Sequence, residues 1–85
     1  MVTKIRLYAR TADGAYHRKS LEITSDLPKG DNIKGGRLHI DEHWLEHVRH
    51  VAWDDDDKHW MAVCGKVVPD ELVAKPGWQP ATKPD

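Results

Sequence analysis

Apolar and polar positions alternate over residues 2–10. Thr3, Ile5, Leu7 and Ala9 fall on one side, and Lys4, Arg6, Tyr8 and Arg10 on the other. A period of two is that of a strand with one buried face. Asp13-Gly14 marks a turn, and Leu21 and Ile23 suit a second strand over about 15–24. Register follows from the faces. A two-residue Asp13-Gly14 loop sets Ile5 against Glu22 and Leu7 against Ser20, which mixes them. A three-residue loop, Ala12 to Gly14 with Gly14 left-handed, sets Ile5 against Leu21, Thr3 against Ile23 and Lys4 against Glu22. The second keeps each face consistent and is the expected register.

Residues 25–36, rich in Gly, Pro, Asp and Asn, read as a loop anchored by Leu27 and Ile33. Residues 37–40 suit a short third strand. In the stretch DEHWLEHVRHVAW and the Ile before it, the spacing changes. At about 100° per residue, Ile40, Trp44, Leu45, Val48, Val51 and Ala52 fall within one ~140° arc. With Asp41 as N-cap and Glu42 and Glu46 in the early turns, this predicts an amphipathic helix over about 41–51. Four aspartates follow, unfavourable at a helix C-terminus, so the helix stops before Trp53. A rival reading pairs 47–53 with 58–64 as a hairpin, Val51 opposite Trp60 and Val48 opposite Val63. Residues 59–64 are a strand in either case. Pro69-Asp70-Glu71 opens a short helical turn that ends at Lys75-Pro76.

The expected fold is therefore a small α+β domain. It has an N-terminal antiparallel hairpin (about 2–10 and 15–24), one central amphipathic helix (about 41–51) and a further C-terminal strand (about 59–64) in the sheet. Residues 1–75 make the compact domain and 76–85 a Pro-rich flexible tail.

Composition bounds this further. Eighty-five residues allow one domain, with 17 Val, Ile and Leu and no Phe. Trp44, Trp53 and Trp60 can supply much of so small a core. A single cysteine, Cys64, excludes an internal disulfide. The opening residues lack the apolar run of a signal peptide, and no stretch approaches the ~20 apolar residues that cross a membrane. A reduced, cytoplasmic protein without membrane contact is expected.

The net charge of −1 hides a polarised chain. Residues 1–40 hold eight Lys and Arg against four acids, and residues 41–85 hold five against ten. Polarised surfaces act on partners. Three constellations carry this. The acidic one is Trp53, Asp54, Asp55, Asp56, Asp57 and Trp60, a knob placed to meet a basic surface; the ordinary reading is a solvated loop. The run lacks the alternation and glycine of a calcium loop. The basic one is the outer hairpin face, Lys4, Arg6, Tyr8, Arg10, Tyr16 and Arg18, extended by Lys29, Lys34 and Arg37. Cations beside rings suit nucleic acid, although such residues are ordinary on an exposed strand. The third is His43, His47 and His50, whose helical spacing presents imidazoles to one Zn²⁺; they equally suit a boundary stripe.

No phosphate-binding glycine loop, nucleophile elbow or split carboxylate pair is present, so neither enzyme activity nor a cofactor is expected. The leading expectation is a non-enzymatic protein-interaction or regulatory module that binds another protein, with a homodimer allowed by the opposed charges. A nucleic-acid binder using the tyrosine-bearing hairpin is the alternative, and a histidine metal domain a third.

Overall fold

Strands dominate the chain. The structure, a computed structural model, describes residues 2–24, 26–30 and 35–84. The elements run β1 (Thr3–Arg10), β2 (Tyr16–Ile23), β3 (Gly36–Ile40), β4 (His43–Asp54), β5 (His59–Cys64), α1 (Asp70–Val73) and β6 (Gln79–Ala81). One mixed sheet holds all the strands, in the order β3-β4-β5-β1-β2-β6. Every pairing is antiparallel except β1 with β5.

The opening hairpin adopts the face-consistent register, with Thr3 opposite Ile23, Lys4 opposite Glu22 and Ile5 opposite Leu21. Gly14, at φ 88°, supplies the left-handed residue of its turn. The Asp13 carboxylate accepts from the Thr11 hydroxyl and the Ala15 N–H and pins the same turn.

The central helix is not there. Among the described residues the fold is a six-stranded mixed sheet with one short helix, and the α+β expectation is corrected. Residues 41–51 form a tight turn at Asp41-Glu42 and then most of β4. The helical spacing has a physical origin in a bulge. Four residues of β4, Leu45 to Val48, span what three residues of β3, Leu38 to Gly36, span on the other side. His47 is the extra residue, at φ 58°. Leu45 and Val48 therefore face the core although they lie three apart. A second irregularity between His50 and Ala52 shifts the pattern again. The hairpin of the rival reading exists, but its register is Trp53 opposite Trp60 and Val48 opposite Cys64.

The sheet rolls around its inner face. Ile5, Leu7 and Ala9 of β1, Leu45 and Val48 of β4, and Ala62 and Cys64 of β5 are buried there together. Leu72 of α1 and Val68 before it fill one end, and Leu27 covers another part. Two contacts span the roll. The β3–β4 turn reaches β2, where Lys19 Nζ lies 2.7 Å from Asp41 Oδ2, and Trp78 Nε1 donates to the same oxygen at 3.2 Å. Extents of 30 × 26 × 25 Å accord with a rolled sheet; one flat layer is only about 10 Å thick.

The segment at 28–30 takes the edge of β4 beyond β3. The His50 N–H donates to the Pro28 carbonyl at 2.9 Å, and the Gly30 N–H to the His50 carbonyl at 2.7 Å. Ile33 and Lys34 lie outside the described residues. Residues 79–81, within the segment expected as a tail, pair with β2 as β6. Among the described residues no helix is long and apolar enough to cross a membrane.

Candidate anion-binding face

Alternation on β1 turns Lys4, Arg6, Tyr8 and Arg10 away from the core, and the register aligns them with neighbours in rows. One row reads Arg49 of β4, Val63 of β5, Tyr8 of β1, Arg18 of β2 and Gln79 of β6. The row on one side holds Met61, Arg6 and Ser20. The row on the other holds Arg10, Tyr16 and Ala81.

Three neighbouring depressions follow these rows. The first, about 420 Å³, lies over Tyr8, Arg18 and Pro80 to Thr82. The second, about 160 Å³, is lined by Arg6, Arg18, Ser20, Gly77 and Gln79. The third, about 350 Å³, has Arg10, Tyr16, Arg49 and Lys83 on its walls, with Val51, Val63 and Pro84. None of these lining residues is acidic. Among the described residues, Arg10, Arg18 and Lys83 have no carboxylate within ion-pair distance. Arg49 and Lys83 belong to this face although the sequence reading left them out. The helical spacing puts Arg49 on a helix and the prolines put Lys83 in a tail; the signal for Arg49 lies in the rival strand reading.

The rings expected to stack are differently placed. Tyr8 is only 7% exposed, at the floor of the face, and Tyr16 is half-buried. The most exposed ring, Trp44 at 59%, lies on β4 with the Arg37 guanidinium 4.6 Å above it and His39 at 4.9 Å.

The acidic run is the turn between β4 and β5, and much of it is engaged internally. Asp54 Oδ1 accepts the N–H groups of Asp56 and Asp57 at 3.1 and 3.2 Å, so this side chain shapes the turn. Asp57 takes a bond from Arg6 at 3.0 Å, and Asp54 lies 4.0 Å from the same guanidinium. The Asp57 bond raises the Arg6 pKa above its ordinary value. Asp55 pairs with Lys58 at 2.8 Å and accepts from Trp53 Nε1 at 3.4 Å, which lowers its pKa. One arginine of the opening hairpin thus ties down the turn, while Asp56 stays exposed. Trp53 and Trp60 face each other across the base of this turn. They meet edge to face at 5.5 Å, with Lys29 Nζ 4.9 Å over the Trp60 ring.

The three histidines share a strand, not a helix face. His43 Nδ1 donates to the Asp41 carbonyl at 2.8 Å, and its Nε2 lies 3.3 Å from Glu71. Both contacts favour the imidazolium and raise its pKa. His47 is exposed at the bulge. His50 is 2% exposed beneath Trp60, and its Nδ1 has no hydrogen-bond partner among the described residues. Burial, and then the charge of Lys29, lowers its pKa. Among the described residues no three His, Cys, Asp or Glu side chains are grouped to hold a metal ion.

Cys64 Sγ lies 3.3 Å from the carbonyls of Glu46 and Lys66. Burial pushes its thiol up, which disfavours a nucleophilic thiolate. What the outer face offers chemically is therefore charge and hydrogen-bond donors for an anion. No protein-family model, no curated protein and no solved structure matches this chain.

Proposed function

We propose that this chain is a small non-enzymatic interaction module, and that its outer sheet face takes an extended acidic segment of another protein. One observation carries the reading. Among the described residues, Arg10, Arg18 and Lys83 line neighbouring depressions with no acidic residue in their walls. Cations on one face without carboxylate partners attract a chain of negative charge, and arginines fix it by forked hydrogen bonds. The sheet-borne basic face takes over the role first assigned to the acidic turn, since Arg6 and Lys58 already engage that turn.

A protein segment suits the face better than a nucleic-acid strand. The buried Tyr8 ring offers no surface for a base. The net charge of −1 gives little long-range pull on a polyphosphate, and the Asp54–Asp57 turn sits at one end of the face. The lone buried thiol accords with a reducing, cytoplasmic setting.

The test is binding of a labelled glutamate-rich peptide and of a single-stranded oligonucleotide of equal length, at low and at physiological salt. The peptide should bind, more weakly in high salt, and Arg10→Gln and Arg18→Gln should each weaken it. Tighter binding of the oligonucleotide would transfer the face to nucleic acid. Binding of neither would end the reading.

A further inference from the structure

The depression between β1, β2 and β6 differs in character from its neighbours. It is lined by Arg6, Arg18, Ser20, Gly77 and Gln79, with none of the apolar side chains that line the other two. Register builds it. Arg6 stands opposite Ser20 across β1 and β2, and Arg18 opposite Gln79 across β2 and β6. Residues two apart on β2 share a face, so two guanidiniums, a hydroxyl and a carboxamide meet on one small patch.

The donors exceed what a carboxylate needs. A carboxylate has two coplanar oxygens and is satisfied by one guanidinium fork. A phosphomonoester has three terminal oxygens and close to two negative charges, and suits two guanidiniums with neutral donors beside them. Arg6 gives one N–H to Asp57 and keeps others, since a guanidinium has five. Asp57, and Asp54 at 4.0 Å, approach Arg6 from the β4–β5 turn, on the β5 side of β1, whereas Arg18 lies on the β2 side. Arg18 has no carboxylate partner among the described residues. Gly77, at φ 96°, completes this wall, and a Cβ there would meet the Lys19 side chain at 3.2 Å.

We infer that this depression is a phosphoryl-binding subsite, and that the acidic segment taken by the outer face carries a phosphorylated side chain at this point. The inference rests on the function proposed above and goes beyond it by naming the group recognised.

Calorimetric titration of the full chain tests it with three peptides of glutamate and glycine that differ at one central position: phosphoserine, serine and glutamate. The phosphoserine peptide should bind roughly tenfold or more tighter than either of the others. Arg18→Gln should abolish that preference and Arg18→Lys should retain only part of it, because an ammonium lacks the fork. Arg10→Gln, outside the depression, should weaken all three peptides alike. Equal binding of the three by the unaltered chain overturns the subsite and leaves the acidic-segment reading standing. Binding of none overturns both. A 5′-phosphorylated oligonucleotide that binds tighter than the phosphopeptide would overturn a protein as the source of the phosphoryl group. Unchanged melting temperatures confirm that the variants are folded.

Discussion

Lys19 and Asp41 join two parts of the sheet that are not hydrogen-bonded neighbours: Nζ of one lies 2.7 Å from Oδ2 of the other, between β2 and the β3–β4 turn. The Trp78 indole shares that carboxylate, and together they hold its pKa below the ordinary value. Asp41→Asn keeps the shape and the tolerance for a positive φ but removes the charge. It should cost about 1 kcal/mol, read as a loss in urea stability at unchanged m. The contribution is present above the unfolded carboxylate pKa of about 3.9 and is lost as pH falls through the depressed folded value.

The residue beside it is in the wrong conformation for its type. Glu42 sits at φ 68° and Asp41 at φ 48°, a two-residue turn that favours Asn-Gly. Glu42→Gly should relieve this and stabilise the protein by about 0.5–1 kcal/mol. A melting temperature that fails to rise would mean that Glu42 makes a compensating contact.

Gly35 admits no side chain. A Cβ there would stand 2.2 Å from the His47 Cα, where the β4 bulge passes. Gly35→Ala must displace backbone, and should cost more than about 3 kcal/mol. Loss of the near-ultraviolet tryptophan circular dichroism signal would report it.

Two histidines of one strand should give opposite pH dependence. His50 has a lowered pKa, so the unfolded chain binds its proton more readily. Stability is intact above about pH 6.5 and falls as pH drops below that value. His43 has a raised pKa, so its contribution is full below about 6.5 and fades as pH rises through the folded value. His50→Leu, which also removes the unpartnered Nδ1, should flatten the decline between pH 6.5 and 5 in denaturant titrations. If the slope is unchanged, the decline has another source.

Within the aspartate run the four side chains should not behave alike. Asp54→Ala removes the acceptor of two turn N–H groups and should cost about 1 kcal/mol. Asp56→Asn should stay within about 0.5 kcal/mol of the parent. Equal losses at both positions would point to charge alone.

Much of the hairpin was legible because its faces alternate without interruption from Thr3 to Arg10, and only one loop length keeps Ile5 on Leu21. The same logic failed from Asp41 onward. Bulges at His47 and near Val51 put buried residues three and then two apart, which copies a helical period. The warning lay in residue type: Trp44, Val48, Val51 and Trp53 favour strands. Of the basic face, the hairpin half was readable from alternation. Arg49, Gln79 and Lys83 join it only through long-range pairing, which no local pattern encodes.

The sealed thiol of Cys64 gives the molecule a built-in clock. The residue is 3% exposed, with its sulfur against the Glu46 and Lys66 carbonyls, so opening of the surrounding wall exposes it, and no second cysteine confuses the signal. The rate at which an alkylating reagent consumes it therefore times that opening directly, with and without an occupant on the opposite side of the sheet.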